Sequence, residues 1–312
     1  MATTDYAHGI SAVDSGFTRP KLDAIHLLIE QGRVAVIDTG VNASIPLLEE
    51  ALQAKGLGWS AVDAIILTHI HLDHAGGASQ LMRLCPNTTL YVHPRGSRHM
   101  ADPSKLVAAT IDVYGAEVTR KNYGDILPID ASRIVETPHE FKLDFHGREL
   151  QFFDTPGHAK HSASMRDSRT GHFFMGDTFG LAYTELRHDG RCYTFPTSSP
   201  AQFDPQAAHA SLDLVMSYQP QACYLTHYGQ VTDMPRLAAD MHRLIDRFVA
   251  MALPLRQAEN RNAKLYAGMR QIIIDEGQRQ GWPQSPAELE KIFEIDLPLN
   301  ADGLEPWLDS LK

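Results

Sequence analysis

The sequence predicts a mixed α/β protein with a helical C-terminal extension. Three observations carry this reading. Short apolar runs alternate with helix-period patterns over most of the chain, strand-like runs cease near residue 233, and several of the apolar runs end on a histidine or an aspartate. A mixed α/β region is therefore expected over about 1–232 and a helical arm over about 233–312.

The elements follow in order. Residues 21–40 read as two strands about a Gln-Gly turn, and 43–56 as a helix that stops near Gly56. AIILTH (64–69) has the pattern of a buried strand, and a helix is expected from about Ala75. TTLYVHP (88–94) is a further strand, and residues 94–125 are expected to form a loop. FKLDFHGRELQFFD (141–154) reads as a hairpin about His-Gly, and HFFMGD (172–177) and ACYLTH (222–227) as short strands. Asp204-Pro205 combines an N-cap with proline at the first helical position. In the arm, Leu237, Met241, Leu244, Ile245 and Phe248 recur at helical spacing, as do Leu265, Met269, Ile272 and Ile273. Ser285-Pro286-Ala287-Glu288 is a capping box that starts a third helix.

Composition excludes several classes. With 28 Lys+Arg against 38 Asp+Glu the formal charge is −10, which argues against a protein that grips nucleic acid or an anionic membrane. Only 3 cysteines are present and none forms C-x-x-C, so neither a disulfide framework nor a thiolate zinc site is expected. The first residues have no basic start and no apolar core of a signal peptide. The longest apolar run, 248–255, is 8 residues and contains Pro254, whereas a membrane span needs about 20. A cytoplasmic setting is expected.

Histidine is the unusual component, with 16 residues. His69, His71, Asp73 and His74 follow the strand AIIL directly. In extended chain, residues two apart point the same way, so His69 and His71 converge on one point. Asp73 and His74 come where the chain turns into a helix and face a second point. Imidazole nitrogen and carboxylate oxygen suit zinc and similar divalent ions. His158, Asp177 and His227 each end an apolar run, where sites on a rigid sheet are usually built. Each alone also fits a hydrogen-bonded histidine or a turn-capping aspartate.

Taken together, Asp38-Thr39-Gly40, THIHLDHAGG (68–77), TPGHAKHS (155–162), GDTFG (176–180) and THYG (226–229) resemble the metallo-β-lactamase fold superfamily, in its glyoxalase II-like and lactonase-like hydrolase branch. The resemblance implies a four-layer αββα sandwich with metals at one edge. It implies that His69, His71 and His158 hold one metal, that Asp73, His74 and His227 hold the second, and that Asp177 bridges them. It places Asp38, and less firmly His161, behind the ligands. Asp177 stands where the β-lactamases of this superfamily use cysteine, and His71 stands where its flavin-linked di-iron members have glutamate. Gly180 stands where many lactonases place a tyrosine.

The expected function is metal-dependent hydrolysis of a small thioester, ester or lactone. Two divalent ions, zinc first and manganese or iron as alternatives, would activate water, and Asp73 would also take its proton. Arg95, Tyr183 and Tyr193 are candidate substrate contacts. A mononuclear Fe(II) persulfide dioxygenase and a regulatory member of the fold are the competing readings. The expected partner is a small molecule, with no nucleic acid or membrane, and with the arm packed on the core or at a homodimer interface.

Overall fold

The computed structural model describes residues 3–198 and 202–311. The first half of the chain builds one sheet and the second half another. Strands β1 (Thr3–Asp5), β2 (Ile10–Asp14), β3 (Ala24–Glu30) and β4 (Arg33–Ile37) form an antiparallel meander. Helix α1 (Ile45–Ala54) leads to β5 (Val62–Ile66), then come α2 (Leu72–Ala75), α3 (Ala78–Leu84) and β6 (Thr89–Val92). Helices α4 (Pro94–Ala101), α5 (Ser104–Tyr114) and α6 (Ala116–Tyr123) precede β7 (Ile134–Glu136). From β4 to β7 neighbouring strands are parallel, which requires the helical crossovers between them.

The second sheet starts with the hairpin β8 (Lys142–Phe145) and β9 (Arg148–Asp154), followed by β10 (Ala163–Asp167) and β11 (Phe173–Gly176). After α7 (Pro205–Ser217) come β12 (Ala222–Leu225) and β13 (Gly229–Thr232). Among the described residues the sheets have seven and six strands, ordered β1 to β7 and β13 to β8. The arm is α8 (Met234–Ala252), α9 (Arg261–Gln280), α10 (Pro286–Ile292) and α11 (Asp296–Ser310).

Strand alternation sorts the side chains into layers. Ala35 and Ile37 of β4 meet Phe152, Met165, Phe174 and Tyr224 between the sheets. Val34 and Val36 face the other way, onto Leu48, Leu52 and Leu81 of α1 and α3. In the second sheet Phe173, Met175, Cys223 and Leu225 face outward into a core shared with Leu212, Leu237, Leu244 and Phe248 and with apolar residues of α9, α10 and α11. The result is helix, sheet, sheet, helix. Strands buried on both faces read as continuous apolar runs, which is why β4, β5, β11 and β12 were recognisable.

The structure corrects one expectation and adds a strand that the sequence did not reveal. Residues 94–125 are mainly three helices, not a loop. Pro94 occupies the first position of α4, and His93 caps it through Nδ1. Helix α5 has no buried residue, so it lacks the apolar stripe that would reveal it. Helix α10 starts at the Ser285 capping box, as expected, and α11 follows it. Strand β10 was hidden by its charges: Asp167 is buried in a pair with Arg148 and also accepts from Thr170 and the Arg169 amide. The cysteines are free, with Cys85 and Cys223 buried. Among the described residues no helix is long and apolar enough to cross a membrane.

Candidate metal centre

All seven candidate ligands follow the C-terminal ends of strands. β5 ends at Ile66, and His69 and His71 lie in the extended segment before α2, whose N-cap is His71. Asp73 and His74 are consequently in the single turn of α2. His158 follows β9, Asp177 follows β11 directly, and His227 lies two residues beyond β12. Two glycines permit this crowding. Gly176 has φ 50°, and a Cβ there would lie 2.4 Å from Thr68 Oγ1, so only a bare backbone carries Asp177 past the His69 segment. A Cβ on Gly157 would lie 2.5 Å from Ala208 Cα, where the turn into His158 rests against α7.

The side chains converge in three sets of metal-ligand spacing: His69, His71 and His158; His69, His74 and Asp177; and Asp73, His74 and His227. His69 Nε2 and His158 Nε2 lie 2.9 and 3.0 Å from His71 Nδ1. Asp177 faces both ways: its Oδ2 is 3.5 Å from His158 Nε2, and its Oδ1 is 3.2 Å from His74 Nε2 and 3.4 Å from His227 Nε2. Asp73 Oδ2 is 3.5 Å from His74 Nε2 and 3.7 Å from His227 Nε2. His74 Nε2 and Asp177 Oδ1 are buried without a hydrogen-bond partner. Buried polar atoms normally find partners. Orphaned donors of the nitrogen and oxygen type, pointed at shared positions, fit divalent cations.

Electrostatics divides the cluster. Burial, reinforced by neighbouring imidazoles, holds His69 and His71 well below the ordinary histidine pKa. Burial also lowers His158 to about 4. Burial opposes charge on His74 and His227 too, but there Asp177 with Asp73, or with Asp23, outweighs it and raises both. Burial works against ionised Asp177, yet His227, His74 and His158 keep it well below the usual carboxylate value. Without cations the carboxylates therefore draw protons onto His74 and His227, which divalent ions would displace.

A second layer holds the ligands. Asp38 accepts from Thr68 N at 2.8 Å and from Thr226 Oγ1 at 2.8 Å, and meets His74 Nδ1 at 2.8 Å. It thereby ties three ligand segments to β4. His161 lies beside His71, ring centroids 5.4 Å apart, and burial lowers it to about 3. Asp23, which the sequence did not single out, is buried with Oδ1 2.9 Å from His227 Nδ1. It stands alone in sequence, 204 positions from its partner, and nothing local marks it.

The candidate substrate residues separate. Arg95 is exposed on the first turn of α4. Tyr183 is buried; its hydroxyl donates to Asp296 at 3.0 Å, and the Arg19 guanidinium lies 4.4 Å above its ring. Tyr193 is buried against Trp282 and under Arg236.

Comparison with known proteins identifies the fold and the family. The chain is 22% identical over 233 residues to the metallo-beta-lactamase fold-containing protein ST1585 of Sulfurisphaera tokodaii, covering 72% of this chain and 80% of that protein. It is 30% identical over 137 residues to a hydroxyacylglutathione hydrolase of Xanthomonas campestris, a match covering 41% of this chain and 51% of the enzyme. A crystal structure of ST1585 from Sulfolobus tokodaii superposes with a TM-score of 0.67 at 20% identity, over 96% of this chain and 99% of that one. The family protein TTHA1429 of Thermus thermophilus superposes with a TM-score of 0.66 at 20% identity, over 96% and 92%. The family pattern itself matches residues 24–227, a span that takes in Asp38 and every candidate ligand. The chain belongs to the metallo-beta-lactamase superfamily.

Proposed function

We propose that the protein is a hydrolase that uses two divalent ions, zinc in the first instance, to cleave a small thioester, ester or lactone. The observation that carries this reading is the division of Asp177, with one oxygen toward His158 and the other toward His74 and His227. His69, His71 and His158 would hold one ion, Asp73, His74 and His227 the other, and Asp177 would join them. Bound there, the ions would supply a water acidified toward neutral pH and electrophilic activation of the carbonyl.

The chain's own residues do the rest. Asp73 keeps 25% of its side chain exposed, so it is the carboxylate of the cluster that solvent and substrate reach. It accepts the proton released when water attacks. Asp38 holds the ring of His74 by Nδ1, and the Leu22 carbonyl, with Asp23 beside it, holds that of His227, leaving both Nε2 atoms aimed at Asp177. A thiolate departs without a proton, so a thioester requires no further acid. The partial likeness to a hydroxyacylglutathione hydrolase supports the same preference.

Metal analysis of the purified protein, combined with a panel of thioesters, esters and lactones, tests the proposal. Two ions at this centre are expected, with one of these classes hydrolysed. Asp73→Ala should cost about 10²–10⁴-fold in kcat. One ion or fewer at this centre after saturation, or full activity of Asp73→Ala, overturns it. Oxygen uptake with glutathione persulfide would instead favour a mononuclear iron dioxygenase. Rescue of a deletion phenotype by a ligand variant would favour a regulatory role.

A further inference from the structure

Helices α7 and α8 carry a second group of metal-type donors that the reaction proposed above does not use. His209 and Asp213 lie one turn apart on α7, and His242 and Asp246 one turn apart on α8. Their pairing crosses between the helices. His209 Nε2 is 3.1 Å from Asp246 Oδ1, and His242 Nε2 is 3.3 Å from Asp213 Oδ1. A neutral imidazole that donates from Nε2 to a carboxylate has a bare lone pair on Nδ1. Here the two Nδ1 atoms face each other at 2.6 Å, in rings tilted by only 4°. A proton on one ring makes this contact a hydrogen bond, and a cation between the two nitrogens would take that proton's place. Convergent imidazole nitrogens 2.9 and 3.0 Å apart also mark the His69, His71 and His158 set.

We propose that His209 and His242 bind one borderline divalent ion, of the zinc, nickel or copper class, through their Nδ1 atoms. Asp213 and Asp246 orient the rings from behind, the usual arrangement around a ligating histidine. Nitrogens about 2.0–2.1 Å from a tetrahedral ion stand roughly 3.3 Å apart, so the rings need to separate by less than about 1 Å. The histidine side chains are 28% and 30% exposed, which leaves the remaining positions of the ion to water. The site shares no residue with the seven-ligand centre. It would clamp α8 of the arm to α7, the helix against which the Gly157 turn rests.

The test uses the full chain with its main centre loaded, titrated with zinc chloride and separately with copper chloride. Wild type should take up one more ion per chain than the double variant His209→Gln/His242→Gln, and zinc should raise the Tm of wild type only. Copper bound to wild type should give an electron paramagnetic resonance spectrum with coupling to two nitrogens. Hydrolytic activity should be equal in both proteins, which also shows that the variant is folded. Asp213→Asn with Asp246→Asn leaves both ligands in place and should weaken the added ion about 10–100-fold. Equal ion uptake by wild type and the double variant overturns the proposal. So does a pair that merely shares a proton, seen as a pH-dependent Tm difference with no additional ion.

Discussion

Asp38 and His26 show how single residues set the conditions around the centre. Asp38 adopts a left-handed φ of 56° at the end of β4, which aims its carboxylate across to Thr68, His74 and Thr226. His26 of β3 lies between the sheets, its ring near Phe174 and Tyr224 with centroids 5.7 and 5.8 Å away. Its Nε2 has no partner, and burial pushes its pKa down to about 4. The folded-state value is below that of the unfolded chain, about 6.5. Protonation therefore favours unfolding: this contribution to stability is complete above pH 6.5 and is lost as pH falls toward 4. Wild type should lose about 2 kcal/mol between pH 7 and pH 5 through this residue. Urea midpoints of wild type and His26→Leu, measured at both pH values, check this; identical pH dependence would refute it. Residues gathered in one motif, such as His69 to His74, were legible in the sequence. Asp23 and Asp296 were not, because each acts through a contact made only after folding.

Among the elements, β10 is the clearest case of structure that polarity conceals. Arg148 of β9 and Asp167 of β10 have side chains fully shielded from solvent, and their bond is bidentate at 2.8 and 2.7 Å. A buried pair of this kind contributes little net stability, but removing one member strands the other. Asp167→Asn should destabilise the protein by about 3–5 kcal/mol, read from denaturant unfolding. Replacing both residues with apolar ones should cost less, and a double variant as unstable as the single one would count against the argument. Helix α5 failed to announce itself for the opposite reason: it has no buried side, and Ile111 and Val113 are 36% and 44% exposed. Strands β4, β5, β11 and β12 were readable because each buries both faces. The amphipathic α8 was readable because one face packs on the sheet and the other carries charge.

At the scale of the molecule, two sheets share one centre. Strands β1 to β7 are completed by residue 136, and that segment carries His69, His71, Asp73 and His74. His158, Asp177 and His227 come from the second half. Ions bound by both halves would stabilise the closed sandwich by mass action, since the unfolded chain lacks the assembled site. Chelation should therefore lower Tm by several degrees and restoring metal should reverse it; an unchanged melting curve would show that the centre bears no structural load. The αββα layering followed from resemblance and could not be read from periodicity, because apolar strands do not reveal which sheet they join. The division of ligands between the halves also bears on synthesis. A nascent chain that has emerged only as far as β7 displays four histidine and aspartate donors with nothing opposite them. A metal site built from these seven residues would be finished only after residue 227 has left the ribosome, so its loading would follow the docking of one sheet on the other.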